Sequence, residues 1–300
     1  MKTVNKLYWN NRQDKIFLAF VVFALCLLTL SIIYPLIYMI SASLSSVNAV
    51  QENKVFLWPV EPTLLGYRMI FVNNRVLSGY ANTLFYTVCG TAVKVFMTIL
   101  IAYPLSRKDF NGRGIVMLVM TITLYFSGGL IPTFILIRNL GLYNTRAIIV
   151  ILGAVSVYQV IITRTYFAQN IPEELNEAAG LDGCNIFRFI PAIVLPLSKP
   201  IIAVLTLMFA VGHWNSYFTE MIYLQDINKY PLQMILREIL IANTFDPLSV
   251  VDVTRDIEKQ GLRLLLRYSL IVVASIPVLM IYPFIQKYFV KGVMIGSLKG

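Results

Sequence analysis

The sequence contains few charged residues and few of the residue types that build catalytic and metal sites. Charged residues make up 13% of its 300 positions, whereas a soluble globular domain carries roughly 25%. The single histidine, His213, lies in an apolar run, and Cys26, Cys89 and Cys184 match no metal-ligand or disulfide spacing. A histidine-rich metal site is therefore excluded, no catalytic constellation appears, and the cysteines are expected to be small hydrophobic residues.

A nucleotide-binding loop is also absent from the sequence. The phosphate loop G-x-x-x-x-G-K needs two glycines before its lysine, and the segment from Gly90 to Lys94 is too short and lies in an apolar run. The net charge of +10 forms no basic and aromatic segment of the kind that binds nucleic acid. ATP hydrolysis and nucleic-acid binding by this chain are therefore not expected.

Long apolar runs are the main feature of the sequence. Hydrophobic residues make up 58% of the chain, and the mean hydropathy is +0.72. A helix of about 20 apolar residues crosses a bilayer and satisfies its own backbone polar groups there. The pattern predicts an all-α, polytopic membrane protein with six transmembrane helices, in a single domain of residues 1–300. The predicted spans are about residues 16–41, 80–105, 114–136, 147–167, 200–224 and 266–289.

Lysine and arginine in the short loops predict the orientation of these spans. Such residues collect on the cytoplasmic side, and here they occupy the N-terminal tail, the loop after the second span and the C-terminal tail. Arg138 and Arg146 oppose this pattern in a short loop on the other side. Most of the basic residues in short segments therefore place both termini in the cytoplasm and the loops of residues 44–79 and 225–263 outside. These basic residues are Lys2, Lys6, Arg12, Lys15, Arg107, Lys108, Arg113, Lys287, Lys291 and Lys299.

An ordered cytoplasmic segment of about residues 170–196 is predicted between the fourth and fifth spans. Pro172 suits a first helical turn, and the two acids after it favour the positive end of the helix dipole. Gly183 can end this helix in a left-handed conformation, and a second helix is expected from Asn185 to Pro196. Two short helices meeting at a glycine are typical of an element that enters a groove on a partner. An ordinary connector is the alternative.

Residues in this segment reproduce the EAA signature of ATP-binding cassette (ABC) importer permeases. The signature is E-A-A, three residues, G, nine residues, then I-x-L-P. Its defined positions are Glu177, Ala178, Ala179, Gly183, Ile193, Leu195 and Pro196. In that family the loop forms coupling helices that dock in a cleft of the cytoplasmic ATPase. The resemblance implies ATPase contact, and no catalysis, for Glu177, Ala178, Ala179, Gly183, Leu195 and Pro196.

Other segments resemble the carbohydrate branch of this family. NTLFYTVCGTAVKVFMTILIAYPLSRK, from Asn82, is similar to its second span, and FSGGLIPTFILIRNLGLYNT, from Phe126, to its third span and following loop. GHWNSYFTEMIYL, from Gly212, and the tail KYFVKGVMIGSLKG, from Lys287, resemble the branch of lipoprotein-region and maltose-type sugar permeases. The chain resembles the maltose system's second permease, which implies the transmembrane domain of a type I ABC importer in a bacterial plasma membrane.

The resemblance also implies the partners of the chain. They are a second homologous permease, two ATP-binding cassette subunits and an extracytoplasmic solute-binding protein. ATP and magnesium bind to the ATPase subunits, so no cofactor is expected on this chain. The cargo is an oligosaccharide. Because the branch includes importers of uronate-rich oligosaccharides, an acidic oligosaccharide is a candidate.

Polar and aromatic residues inside two spans are candidates for substrate contact. Sugars stack on aromatic rings and hydrogen-bond through their hydroxyls, and His213, Trp214, Asn215 and Tyr217 bring both kinds of group into the fifth span. Lys94 lies near the middle of the second span, where an ionisable residue suggests a functional site. Helix packing is the alternative for the first group. Lys94 is suited to contact an anionic sugar or to pair with Glu220, and the alternatives are reach toward the headgroups and a structural pair.

Two other classes of transporter remain open from the sequence. An ABC permease for amino acids, peptides or anions would carry the same EAA loop. A secondary transporter or channel would work without ATP, but such folds often show internal repeats, and no clear repeat is present here. That class does not explain the EAA spacing. A membrane enzyme is disfavoured because no nucleophile or metal set is present.

Overall fold

The computed structural model describes residues 12–241 and 261–280, and these residues form helices and loops without a strand. Backbone contacts divide them into two units, one within Met1–Val72 and Ile239–Ala274 and the other within Asn73–Glu238 and Ser275–Gly300. The predicted all-α class is confirmed. The helices are α1 (Arg12–Ser43), α2 (Val47–Gln51), α3 (Leu65–Val72), α4 (Asn74–Ser106), α5 (Arg113–Tyr125), α6 (Leu130–Asn139), α7 (Arg146–Ile151), α8 (Val157–Asn170), α9 (Glu173–Leu181), α10 (Ile186–Leu197), α11 (Lys199–Trp214), α12 (Phe218–Tyr223), α13 (Leu232–Ile241) and α14 (Gly261–Met280).

The first unit contains the long helix α1, the short helices α2 and α3, and most of α14. The most apolar stretch of α1 has no buried residue, as expected for a helix that faces lipid. A small core forms around its C-terminal end, where Tyr38 and Tyr268 meet edge to face at 5.8 Å between ring centroids. Ser46 caps α2 by accepting the Ala49 N–H at 3.3 Å. The buried members of this core are Ala42, Ala49, Val50 and Val55.

Helix α4 is the centre of the second unit, and α8 and α11 pack along it. Close approach of α11 depends on Gly90, because an added Cβ at Gly90 would lie 2.3 Å from Nε2 of His213. Small residues at such crossings are typical of membrane helix packing, which lacks a hydrophobic driving force. The main apolar core of this unit lies toward the C-terminal end of α4 and includes Tyr103, Val160 and Leu205.

A hydrogen-bonded loop closes the other end of the second unit. Asn82 of α4 donates to the carbonyl of Asn228 at 2.7 Å, and the Tyr86 hydroxyl donates to the carbonyl of Lys229 at 2.8 Å. The Asn144 side chain accepts the backbone N–H of Asp226 at 3.0 Å. Partly buried backbone groups of this loop therefore find their partners on α4 and on the loop before α7.

The observed helices lie where the spans were predicted, but several of them are interrupted. In the described part of the chain, three helices are long and apolar enough to cross a membrane: Gln13–Ser43, Asn74–Ser106 and Gly261–Met280. They correspond to the predicted first, second and sixth spans. Two bent helix pairs, α5 with α6 and α10 with α11, raise the number to five if each pair is one span. The last residues of the predicted sixth span and the tail after it lie outside the described residues.

Breaks interrupt the helices over the predicted third, fourth and fifth spans, and glycine explains two of these breaks. The third span bends by 111° between α5 and α6, where Gly129 adopts φ +81°. The fourth is divided between α7 and α8, with Gly153 at φ +67° in the gap. The fifth ends as a helix at Trp214, and α12 begins only at Phe218.

Candidate functional site

The first helix of the predicted coupling segment forms as its sequence indicates. Helix α9 follows Pro172 and carries Glu173 and Glu174 in its first turn. Gly183 adopts φ +69°, and the Cys184 N–H then bonds to the carbonyl of Ala179 at 2.8 Å. This bond satisfies a carbonyl that the end of the helix leaves free. The left-handed glycine predicted from the sequence is therefore confirmed.

The second helix of this segment is less regular than predicted and ends one residue later. Asn185 caps it by accepting the Phe187 N–H at 3.3 Å. A π-helical turn, Ile190–Val194, lies in its middle, because Pro191 has no N–H for a regular bond. The helix continues through Pro196 to Leu197 and then bends by 84° into α11. We call residues 172–198, which contain α9 and α10, the coupling loop.

Apolar side chains anchor the coupling loop to the spans. Ala179, Phe189 and Val194 are 8%, 1% and 0% exposed and belong to the same core as Tyr103 and Phe167. The Tyr103 ring lies 6.2 Å from that of Phe167 and 6.4 Å from that of Phe189 between centroids. Burial of a Phe side chain contributes about 1.5–3 kcal/mol. The loop is therefore packed onto α4 and α8 and does not hang freely from them.

An ion pair adds a polar anchor beside this core. Nη2 of Arg107 lies 2.9 Å from Oε1 of Glu173, which joins the residue after α4 to the first turn of α9. The Arg107 side chain is 12% exposed and that of Glu173 is 33% exposed, so solvent only partly screens the pair. A second acid, Asp109, lies 3.5 Å from Nε of Arg107.

The opposite side of the coupling loop carries large exposed apolar side chains. Leu181 is 91% exposed and Phe187 is 83% exposed. Of the signature residues, Glu177, Ala178, Gly183 and Pro196 are exposed as well, Leu195 is half-buried, and Ala179 points into the core. The signature therefore divides between an inward anchor and an outward face.

The candidate substrate residues of the fifth span separate at the break between α11 and α12. Near the end of α11, His213 and Trp214 are buried, and Trp214 meets the Tyr80 ring edge to face at 5.6 Å. Asn215 and Tyr217 are exposed in the break. The Asn215 amide donates to the backbone carbonyl four residues earlier at 3.0 Å. The break therefore presents one amide and one phenol, while the other two side chains pack inside the unit.

An acid that was not among the predicted site residues lies close to this break. Glu220 is 2% exposed and accepts a hydrogen bond from the Ser216 hydroxyl at 2.8 Å. Its charge interacts with that of Lys94, whose Nζ lies 5.9 Å from the centroid of the Phe209 ring. Among the described side chains, no carboxylate lies within 4 Å of Lys94. An acid inside an apolar run marks Glu220 in the sequence, where it is a candidate partner of Lys94 rather than a predicted site residue.

No group of His, Cys, Asp and Glu that could hold a metal ion occurs among the described residues.

No family model matches the chain. Over 281 residues the chain is 40% identical to the polygalacturonan/rhamnogalacturonan transport system permease protein YtcP of Bacillus subtilis (strain 168). The alignment covers 92% of this chain and 96% of that protein. The chain belongs to the carbohydrate ABC transporter permeases. Protein LplC of the same organism is 36% identical over 269 residues, covering 89% and 90% of the two chains.

A solved structure agrees with this family assignment. The crystal structure of a bacterial ABC transporter involved in the import of the acidic polysaccharide alginate contains a chain that matches with a TM-score of 0.86 and 33% identity. The match covers 94% of this chain and 100% of that one. The chain therefore has the fold of an importer permease and is a multi-pass sugar-transport subunit of the bacterial inner membrane.

Proposed function

We propose that the chain is one of two permease subunits of an ATP-driven importer for oligosaccharides derived from acidic polysaccharides. Its spans act as one permease domain of residues 1–300, and a second homologous permease completes the translocation path. Two ATPase subunits bind the coupling loop and hydrolyse ATP with Mg²⁺. An extracytoplasmic solute-binding protein delivers the cargo, and both termini of the chain lie in the cytoplasm.

The observation that carries the coupling role is the two-sided character of the coupling loop. Phe189 and Val194 fix one side in the core of the spans, while Leu181 and Phe187 expose the other side. An exposed pair of large apolar side chains on a short, rigid element is suited to a partner's groove. Glu177 and Gly183 are exposed as well, as an ATPase contact of the EAA loop requires.

The anchors explain how movement of the ATPases reaches the membrane. Nucleotide shifts an importer between inward-open and outward-open states only by binding one state more tightly than the other. A connector that deforms when the ATPases move would not transmit this difference in affinity to the spans. The buried side chain of Phe189 and the pair of Arg107 with Glu173 tie the loop to α4 at two separate points. Displacement of the loop is therefore passed to α4 and the helices packed on it.

The preference for acidic sugars rests on Lys94. Its cation lies inside the second span, where it interacts with the charge of Glu220, but no described carboxylate lies within 4 Å to form a close ion pair. A charge in the membrane without a close partner is costly. A uronate carboxylate entering the path supplies a close partner for this cation. Asn215 and Tyr217, exposed at the break after α11, supply an amide for hydroxyls and the ring face that the Arg237 guanidinium, 4.8 Å from the ring centroid, does not cover. Buried His213 and Trp214 support these two from inside the unit.

The relatives support the same class of cargo. One is named for polygalacturonan and rhamnogalacturonan transport, and another transporter is described as importing acidic alginate. A further relative at 26% identity is named for arabinooligosaccharides. A saccharide cargo is thus named for all three, and the alginate transporter is described as importing an acidic one.

Co-purification tests this proposal. Tagged chain is extracted from its native membranes in mild detergent, and the proteins recovered with it are identified by mass spectrometry. We expect a second permease and an ATPase, and loss of the ATPase with Gly183→Asp, which puts bulk and negative charge on the exposed face. Gly180→Ala is the matched control, because Gly180 is helical and has open space around it. A monodisperse preparation that contains neither partner would contradict the proposal.

A further inference from the structure

A polar cavity lies in the second unit where α4 and α8 end and α5 begins. Its volume is about 250 Å³. Basic side chains outnumber acidic ones in its lining, four to two, so the cavity carries an excess of positive charge. The charged residues of the lining are Arg107, Lys108, Arg113, Arg164, Glu173 and Glu174.

Two of the arginines keep hydrogen-bonding capacity for a ligand. Arg113 donates through Nη1 to the carbonyl of Arg107 at 3.2 Å, and Arg164 donates through Nε to the carbonyl of Leu105 at 2.9 Å. In the described part of the chain, neither arginine has a carboxylate within 4 Å. Glu173 is already bonded to Arg107. The remaining guanidinium N–H groups can therefore hold an anion in two-point contact.

The helix that starts at this cavity has an apolar outer face. Helix α5 begins at Arg113 and contains no buried residue. Ile115, Leu118 and Ile122, spaced along one side of it, are 70%, 62% and 48% exposed. A basic mouth followed by an apolar helix surface matches a phospholipid, whose phosphate and acyl chain meet at the same boundary. Free phosphate would use the basic mouth alone.

We infer that this cavity binds the phosphate of an anionic phospholipid in the leaflet on the ATPase side, with an acyl chain along α5. The inference rests on the proposed orientation, which puts the C-terminal end of α4 at the cytoplasmic surface. Arg113 and Arg164 bind the phosphate, and Lys108, which is exposed, adds positive charge at the mouth. The Arg107–Glu173 pair belongs to the same wall, so the lipid lies beside the anchor of the coupling loop.

Lipid retention by the assembled transporter tests this inference. The complex is placed in nanodiscs of phosphatidylcholine with phosphatidylglycerol, re-extracted in detergent, and its bound lipid is counted by mass spectrometry. We compare wild type with Arg113→Gln and with the double variant that adds Arg164→Gln. Each charge removed near a membrane surface is expected to weaken phosphatidylglycerol binding about fivefold. Arg113→Lys keeps the charge and is expected to lie between wild type and Arg113→Gln.

Controls separate this inference from the proposed function. Lys199→Gln removes an exposed cation at the start of α11 that does not line the cavity, so lipid retention is expected to stay at the wild-type level. The ATPase recovered in each sample reports on the proposed function alone. Equal retention in wild type and in the double variant would overturn the lipid site, even with the ATPase present. Binding of inorganic phosphate in phosphatidylcholine discs, with no retention of phosphatidylglycerol from mixed discs, would overturn it too.

Discussion

The left-handed glycine of the coupling loop permits a quantitative prediction. Gly183 adopts φ +69°, and no atom lies within 4 Å of where a Cβ would stand. Gly183→Ala therefore costs backbone strain without a steric clash, about 1–2 kcal/mol for an L-residue in this conformation. That strain acts on the closed form of the turn, in which the Cys184 N–H bonds to the carbonyl of Ala179.

Hydrogen exchange at Cys184 measures this cost. A destabilisation of 1–2 kcal/mol corresponds to a factor of about 5–30 in an equilibrium constant, so the amide is expected to exchange about 5–30 times faster in Gly183→Ala. Gly183→Asn is expected to show a smaller change, because asparagine tolerates the left-handed region better. Gly180→Ala, which lies in α9 just before the turn, is expected to leave exchange at Cys184 unchanged. Wild-type exchange at Cys184 in Gly183→Ala would refute the role given to the turn.

Four further predictions follow from the same contacts. Phe189→Ala empties a buried site and is expected to destabilise the unit by about 3–5 kcal/mol, seen as a lower midpoint in denaturant. Arg107→Gln and Glu173→Gln are expected to show a coupling of about 0.5–3 kcal/mol in a double-mutant cycle, and additive effects would deny the pair. Lys94→Met is expected to weaken stimulation of the ATPase by an acidic oligosaccharide about 10–100-fold, as for a lost charged hydrogen bond, and to spare a neutral one. The Asn228 backbone N–H holds the pKa of the exposed Asp226 below its usual 3.8, so the aspartate stabilises its loop above that pH and loses this effect as the pH falls through the depressed pKa. A carboxyl titration by carbon-13 NMR that gives an ordinary pKa would contradict the last prediction.

Local chemistry made the ends of the coupling-loop helices predictable from the sequence. Pro172, the acids after it and Gly183 each act within one helical turn, so their effect does not depend on distant residues. The apolar length of α1 and α4 is local in the same way. These features formed where the sequence indicated.

Features that depend on the direction of a side chain in the folded chain were not predictable. The sequence gives no reason why Ala179 packs inward while Ala178 beside it is exposed, because only the position of α4 decides this. The pair of Arg107 with Glu173 joins residues far apart in the chain. The sequence predicted for Glu173 only an interaction with the positive end of the helix dipole. The break after Trp214 was missed because continuous hydrophobicity resembles a continuous span.

Photo-crosslinking at Phe187 tests the central claim most directly. Benzoylphenylalanine replaces Phe187 on the exposed face, and in a matched control it replaces Phe126, which is 75% exposed between α5 and α6. After irradiation of membranes that contain the active transporter, the crosslinked proteins are identified by mass spectrometry. We predict an adduct with the ATPase subunit from position 187 and none from position 126. An active transporter that gives no ATPase adduct at position 187 would contradict the account.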